Sequence, residues 1–111
     1  MTNVYVERDG NRYLISADGH AGNRDVCNMI TGILYAFAGY VENMESAGEA
    51  AIFNAVYPQS AEEAAELDGK MLFDVSGDER VEAAYDMAVI GLVQLAASFP
   101  ENVSVSEGKN E

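Results

Sequence analysis

The sequence contains few of the residues that cross-link or interrupt a fold. Cys27 is the single cysteine in 111 residues, so an internal disulfide is excluded and a reducing compartment, the cytoplasm, is expected. Only two prolines occur and 49% of the residues are hydrophobic, so the chain should fold as one domain. One histidine and one cysteine are too few for a zinc site, and we expect neither a metal nor another cofactor.

Basic residues are also scarce, because 6 lysines and arginines stand against 19 acids and give a net charge of −13. A field of this sign repels phosphate backbones, which argues against nucleic acid as a partner, and attracts a basic protein. No basic region precedes an apolar run at the N-terminus, and Gly, Asn or Gln interrupts the apolar stretches. We therefore expect neither a secretory signal nor a membrane span.

Turn signals and apolar periodicity predict a hairpin and then a long helix in the first half of the chain. Residues 3–8 and 12–17 are rich in β-branched and aromatic types, and an Asp-Gly turn separates them. After a loop, Asn23 or Asp25 can cap a helix that ends at 42–44. Its inward face carries Val26, Ile30, Ile33, Leu34, Phe37 and Val41. The remaining faces are also largely apolar, so this helix is expected to be buried on more than one side.

The second half of the chain completes an α+β pattern. It predicts a strand or helix at 51–57, a short acidic helix at 60–67, a strand at 70–75, a second long helix from the Ser76–Glu79 capping box to Phe99, and a strand at 103–105. Phe37, Met87 and Phe99 are assigned to the core. The order indicates a two-layer sandwich, with two long helices on a mainly antiparallel sheet of about four to five strands. We assign 1–106 to one domain and 107–111 to a disordered tail.

The only histidine and the only cysteine lie seven residues apart. Cys27 falls in the first turn of the predicted helix, where unpaired N–H groups and the helix dipole favour a thiolate. His20 lies on the preceding loop, from which it can take the thiol proton and return it to a leaving amine. The N–H groups of the same turn are candidate donors to an oxyanion. The pattern therefore indicates a nucleophile and base for attack on a peptide carbonyl.

The same two residues have a simpler interpretation. Cys27 can be a small buried hydrophobic residue and His20 a solvated loop residue. The chain would then be a non-catalytic, acidic binding module for a basic protein. Neither a Gly-x-Ser-x-Gly elbow nor a phosphate-binding Gly-x-x-x-x-Gly-Lys motif offers other chemistry, and the acidic run at 62–68 is read as a solvated face.

Gly19-His20-Ala21 at a strand end, followed by Asp25-Val26-Cys27 at a helix start, resembles the ribosomal-processing cysteine protease (Prp) family, once known as a domain of unknown function. The resemblance implies a homodimeric bacterial endopeptidase with a dyad of Cys27 and His20. Such an enzyme removes the N-terminal extension of a large-subunit ribosomal protein or processes a related phage protein. The substrates present an apolar, aromatic-containing segment before a small residue.

The resemblance also suggests supporting residues. Gly19 and Asp25 belong to the matching motifs, and Thr31 stands where the family often has a serine, one helical turn after its cysteine. Asp18 or Asp25 is a candidate to orient the histidine. The loop between the histidine and the cysteine is shorter here than in the family, where it is flexible and makes room for substrate.

Overall fold

The computed structural model describes residues 1–109 and arranges them as five strands and three helices. In chain order these are β1 (Thr2–Asp9), β2 (Arg12–Asp18), α1 (Arg24–Ser46), β3 (Ala50–Val56), α2 (Ala61–Leu67), β4 (Met71–Gly77), α3 (Glu79–Ser98) and β5 (Val103–Lys109). The strands lie in the order β3-β4-β2-β1-β5, in which β1 and β5 are parallel and the other neighbours are antiparallel. The predicted α+β sandwich with a mainly antiparallel sheet is confirmed.

One face of the sheet carries the core. Tyr13, Ile15 and Ala17 of β2 are buried, as their alternation predicts. Ile15 is paired with Val6 of β1 on one side and with Phe73 of β4 on the other. The central strands therefore present one continuous apolar surface. Burial of each large apolar side chain there contributes about 1.5–3 kcal/mol.

The two long helices cover this face. The buried residues of α1 recur at helical spacing, and its Phe37 ring packs edge-on against Phe73 at a centroid distance of 5.8 Å. In α3 the buried stripe consists of Val81, Tyr85, Ala88 and Leu92. The second apolar face of α1, which includes Tyr40, is exposed in the single chain. The expectation that this helix is buried on more than one side is therefore wrong for the single chain.

Pairing within the sheet shows which of the two predicted conformations residues 50–56 adopt, and it changes the predicted N-cap of α3. Residues 50–56 form β3, since this segment pairs with β4. The same strand, β4, continues to Gly77, so Ser76 lies in the sheet and is not the predicted cap of α3. Asp78 caps α3 instead, and its carboxylate accepts the Arg80 N–H at 2.9 Å.

Two further predictions are wrong, one on the burial of Met87 and one on the conformation of the C-terminal residues. Met87 was assigned to the core but is 76% exposed, because the buried stripe of α3 lies on its opposite side. Residues 107–109, assigned to a disordered tail, belong to β5 and pair in parallel with β1. The rest of the predicted tail, residues 110 and 111, lies outside the described residues.

Helix α3 is the one helix within residues 1–109 that is long and apolar enough to cross a membrane by length and composition. This corrects the expectation that every apolar stretch falls short of such a span. The core helix of a soluble protein has the same length and composition. Here four residues of α3 contribute to the core that the two long helices share with the sheet.

Candidate active site

The loop that joins β2 to α1 is held by hydrogen bonds to three distant segments. The Thr2 hydroxyl donates to the Gly19 carbonyl at 3.0 Å, and the Gly19 N–H donates to the Gly69 carbonyl at 3.1 Å. The Asn102 side-chain amide donates to the Ala21 carbonyl at 2.7 Å. The short loop is therefore fixed by the start of β1, by the turn after α2 and by the turn before β5.

Gly19 has a structural reason to be glycine. Its φ is +99°, and a Cβ at this position would lie 2.5 Å from the Met1 carbonyl oxygen. A side chain would therefore be excluded both by the backbone conformation and by the neighbouring chain. Gly19 lets β2 end against the N-terminus and sends the next residue, His20, towards the turn after α2.

The N-terminus of α1 differs from the expected oxyanion site. Asn23 is the N-cap, and its side-chain oxygen accepts the N–H groups of Asp25 at 2.9 Å and Val26 at 3.3 Å. The Cys27 N–H donates to the Asn23 carbonyl at 3.0 Å. These three donors are already paired, so the prediction that they receive an oxyanion is wrong for this arrangement.

The thiol of Cys27 contacts the loop. The Ala21 N–H donates to Cys27 Sγ at 3.4 Å, and Ala21 itself is buried. Cys27 is a free, half-buried thiol that packs at the edge of the core. The sulfur therefore lies beside a backbone N–H and in the first turn of α1.

The side chain of His20 is largely exposed and bonds to a carboxylate. Its Nε2 lies 2.9 Å from Oδ1 of Asp68, the C-cap residue that follows α2. The carboxylate that contacts the imidazole is thus neither of the two candidates, Asp18 and Asp25. Sequence reasoning missed Asp68 because it lies 48 residues away and was read as part of a solvated acidic run.

His20 and Cys27 line the same cleft, which has a volume of about 160 Å³. The wall from α1 includes Thr31, so this predicted site residue also reaches the cleft. The other lining residues, mostly apolar, are Thr2, Ala17, Gly19, Ile30, Pro58, Ala64, Leu67, Gly69, Lys70 and Met71. The cleft combines the two reactive side chains with an apolar wall.

Asp25 does not line this cleft. It is exposed in the first turn of α1, where a negative charge stabilises the helix N-terminus. Within residues 1–109, no group of three or more His, Cys, Asp or Glu side chains is arranged to hold a metal ion.

No protein-family model matches the chain, and no curated protein matches it. Solved structures do. SMU.848 from Streptococcus mutans superimposes with a TM-score of 0.74 at 19% identity, over 99% of this chain and 96% of that chain. The essential ribosomal processing protease Prp from S. aureus, in complex with a covalently linked product peptide, gives a TM-score of 0.72 at 14% identity, over 97% and 100% of the two chains.

The same S. aureus protease in complex with a substrate peptide gives a TM-score of 0.71. The chain has the fold of the Prp protease. The resemblance first seen in two short motifs therefore extends to the whole architecture, since these alignments span 97% or more of the chain.

Proposed function

We propose that the protein is a cysteine-type endopeptidase in which His20 activates Cys27. The observation that carries the proposal is the convergence of these two side chains on one cleft, with the Ala21 N–H directed at the sulfur. The fold shared with a protease solved with substrate and product peptides supports it.

The reaction would proceed through a covalent acyl-enzyme. His20 accepts the thiol proton, and Cys27 Sγ forms a bond to the scissile carbonyl carbon. When the tetrahedral intermediate collapses, the C–N bond breaks and His20 returns the proton to the leaving amine. A water molecule, deprotonated by His20, then hydrolyses the thioester and restores the thiol.

The proposed substrate is the N-terminal extension of a large-subunit ribosomal protein or a related phage protein. The apolar wall of the cleft, which includes Ile30, Leu67 and Met71, suits an apolar segment before the cleaved bond. The net charge of −13 would attract a basic ribosomal protein and accelerate encounter at low salt. A reduced thiol nucleophile agrees with a cytoplasmic protein.

A homodimer is part of the proposal. An apolar groove of about 700 Å³ lies between α1 and α3, away from the two reactive side chains. Met87, which lines the groove, is 76% exposed, and Ile90 on the same helix is 57% exposed. Exposed apolar surface of this kind is typical of an interface.

Analytical ultracentrifugation tests the dimer. The wild type should sediment with twice the monomer mass, and Met87→Glu should sediment with the mass of a monomer. A monomeric wild type at micromolar concentration would contradict the dimer.

The decisive experiment is mass spectrometry of a ribosomal N-terminal peptide incubated with the protein. The wild type should produce two fragments, and Cys27→Ala should produce none while keeping the thermal midpoint of the wild type. Full cleavage by that variant would refute the peptidase. If the protein is instead an acidic binding module, it binds the peptide without cleaving it, and His20→Ala leaves the rate of Cys27 alkylation unchanged.

A further inference from the structure

The turn after α2 has an unusual backbone and lies against His20. Asp68, with φ 51° and ψ 50°, is the one non-glycine residue of the described chain that has a positive φ. Gly69 follows with φ 79°. The two left-handed residues reverse the chain, so that the Asp68 carboxylate meets the imidazole while the Gly69 carbonyl accepts the Gly19 N–H.

The turn is also packed closely against the histidine segment. A Cβ on Gly69 would lie 3.0 Å from the carbonyl carbon and oxygen of Gly19, and 3.2 Å from Cε1 of His20. A Cβ at these distances would push the Gly19 backbone and the imidazole away by a few tenths of an ångström. The positions of the imidazole and of the carboxylate are thus coupled through the backbone as well as through their hydrogen bond.

The hydrogen bond fixes which ring nitrogen carries the proton. An ionised carboxylate can only accept, so Asp68 Oδ1 requires a proton on Nε2 of His20. In the neutral imidazole, Nδ1 is then left as the basic nitrogen. A base must present an unprotonated nitrogen to the thiol of Cys27, and this tautomer provides one at Nδ1.

We propose that Asp68 is a positioning residue, which holds His20 in the Nε2-protonated tautomer so that Nδ1 can accept the Cys27 proton. The proposal rests on the proposed peptidase function. The other acids of α2 have different surroundings. Glu63 accepts the Gln59 N–H at the start of the helix, and Glu66 is exposed to solvent. Glu66→Gln therefore provides a matched control, since it removes the same charge two residues before Asp68.

The test compares Asp68→Asn, Asp68→Gly and Glu66→Gln by peptide cleavage and by alkylation of Cys27 with iodoacetamide. Asn and Gly both adopt the left-handed conformation readily, so the turn should fold in each variant. We expect Asp68→Gly to lower kcat and the alkylation rate by about two- to fivefold, the range of an exposed ion pair, with KM unchanged. Asp68→Asn should lose more, because its amide N–H can donate to Nε2 and favour the opposite tautomer. Glu66→Gln should match the wild type.

The same substitutions in a His20→Ala background separate positioning from a general effect of charge. There Asp68→Asn should not change the alkylation rate further, because the residue through which it acts is missing. Three results would each overturn the proposal. The first is an equal loss of alkylation rate in both backgrounds, and the second is a larger loss for Asp68→Gly than for Asp68→Asn. The third is that the Asp68 variants cleave peptide and alkylate at the same rates as Glu66→Gln. If the wild type cleaves no peptide, the peptidase function fails, and the alkylation series alone then decides the role of Asp68.

Discussion

Replacement of Gly69 by alanine should lower both stability and reactivity, because two separate costs arise at this position. The left-handed backbone, with φ +79°, costs an alanine about 1–2 kcal/mol. The new Cβ would also lie 3.0 Å from the Gly19 carbonyl and 3.2 Å from Cε1 of His20. Those backbone atoms are held by Thr2 and by Gly69 itself, so relief of the contact should cost about 1–3 kcal/mol more.

Gly48→Ala is the matched control for this prediction. Gly48 has φ +75° and nothing within 4 Å of its Cβ position, so this variant carries the backbone cost without the contact. Urea unfolding should show Gly69→Ala less stable than Gly48→Ala by about 1–3 kcal/mol, the range for overpacking. Alkylation of Cys27 should be slowed in Gly69→Ala alone, because His20 is displaced. Equal stability and equal alkylation rates in the two variants would refute the reasoning.

Two further predictions concern the residues that hold the segments around the cleft. Asn102→Ala should destabilise the protein by about 1–2 kcal/mol, because the carbonyl of the buried Ala21 loses its donor. Amide hydrogen exchange should also accelerate in residues 19–23; unchanged exchange there would contradict the anchoring role. A hydrogen bond to Glu42 raises the pKa of Tyr57 to about 12, from an ordinary value of 10. Because the raised pKa belongs to the folded state, this bond stabilises the protein fully below pH 10, and its contribution is lost as the pH rises towards 12. Burial also raises the pKa of Tyr85 to about 12, so absorbance titration should show two tyrosines that ionise near pH 12. Glu42→Gln should bring the midpoint of one of them, Tyr57, back towards 10; two unchanged midpoints in that variant would exclude the assigned cause.

The fold could be predicted largely from local patterns, because its strands and long helices each carry a strong period. Alternation in β2 and the helical spacing of α1 correctly identified Ile15 and Leu34 as core residues. The prediction was less secure in β3, where alanines and Asn54 have little strand preference and pairing with β4 decides the conformation. Met87 was misassigned because periodicity identifies apolar residues but not which of two apolar sides of a helix meets the sheet.

In the site, too, the features that depend on neighbouring residues could be predicted, and those that depend on distant segments could not. The proximity of His20 to Cys27 is encoded within eight consecutive residues, and the sequence identified both. Their relative orientation is not local, since the loop between them is fixed by Thr2, Gly69 and Asn102. A loop this short has few conformations of its own, so bonds from three distant segments are enough to select one of them. The two short motifs therefore specify which groups meet, while the turns at 68–69 and at 102 determine how they meet. A variant that keeps both motifs but changes those turns should retain the fold and lose reactivity at Cys27.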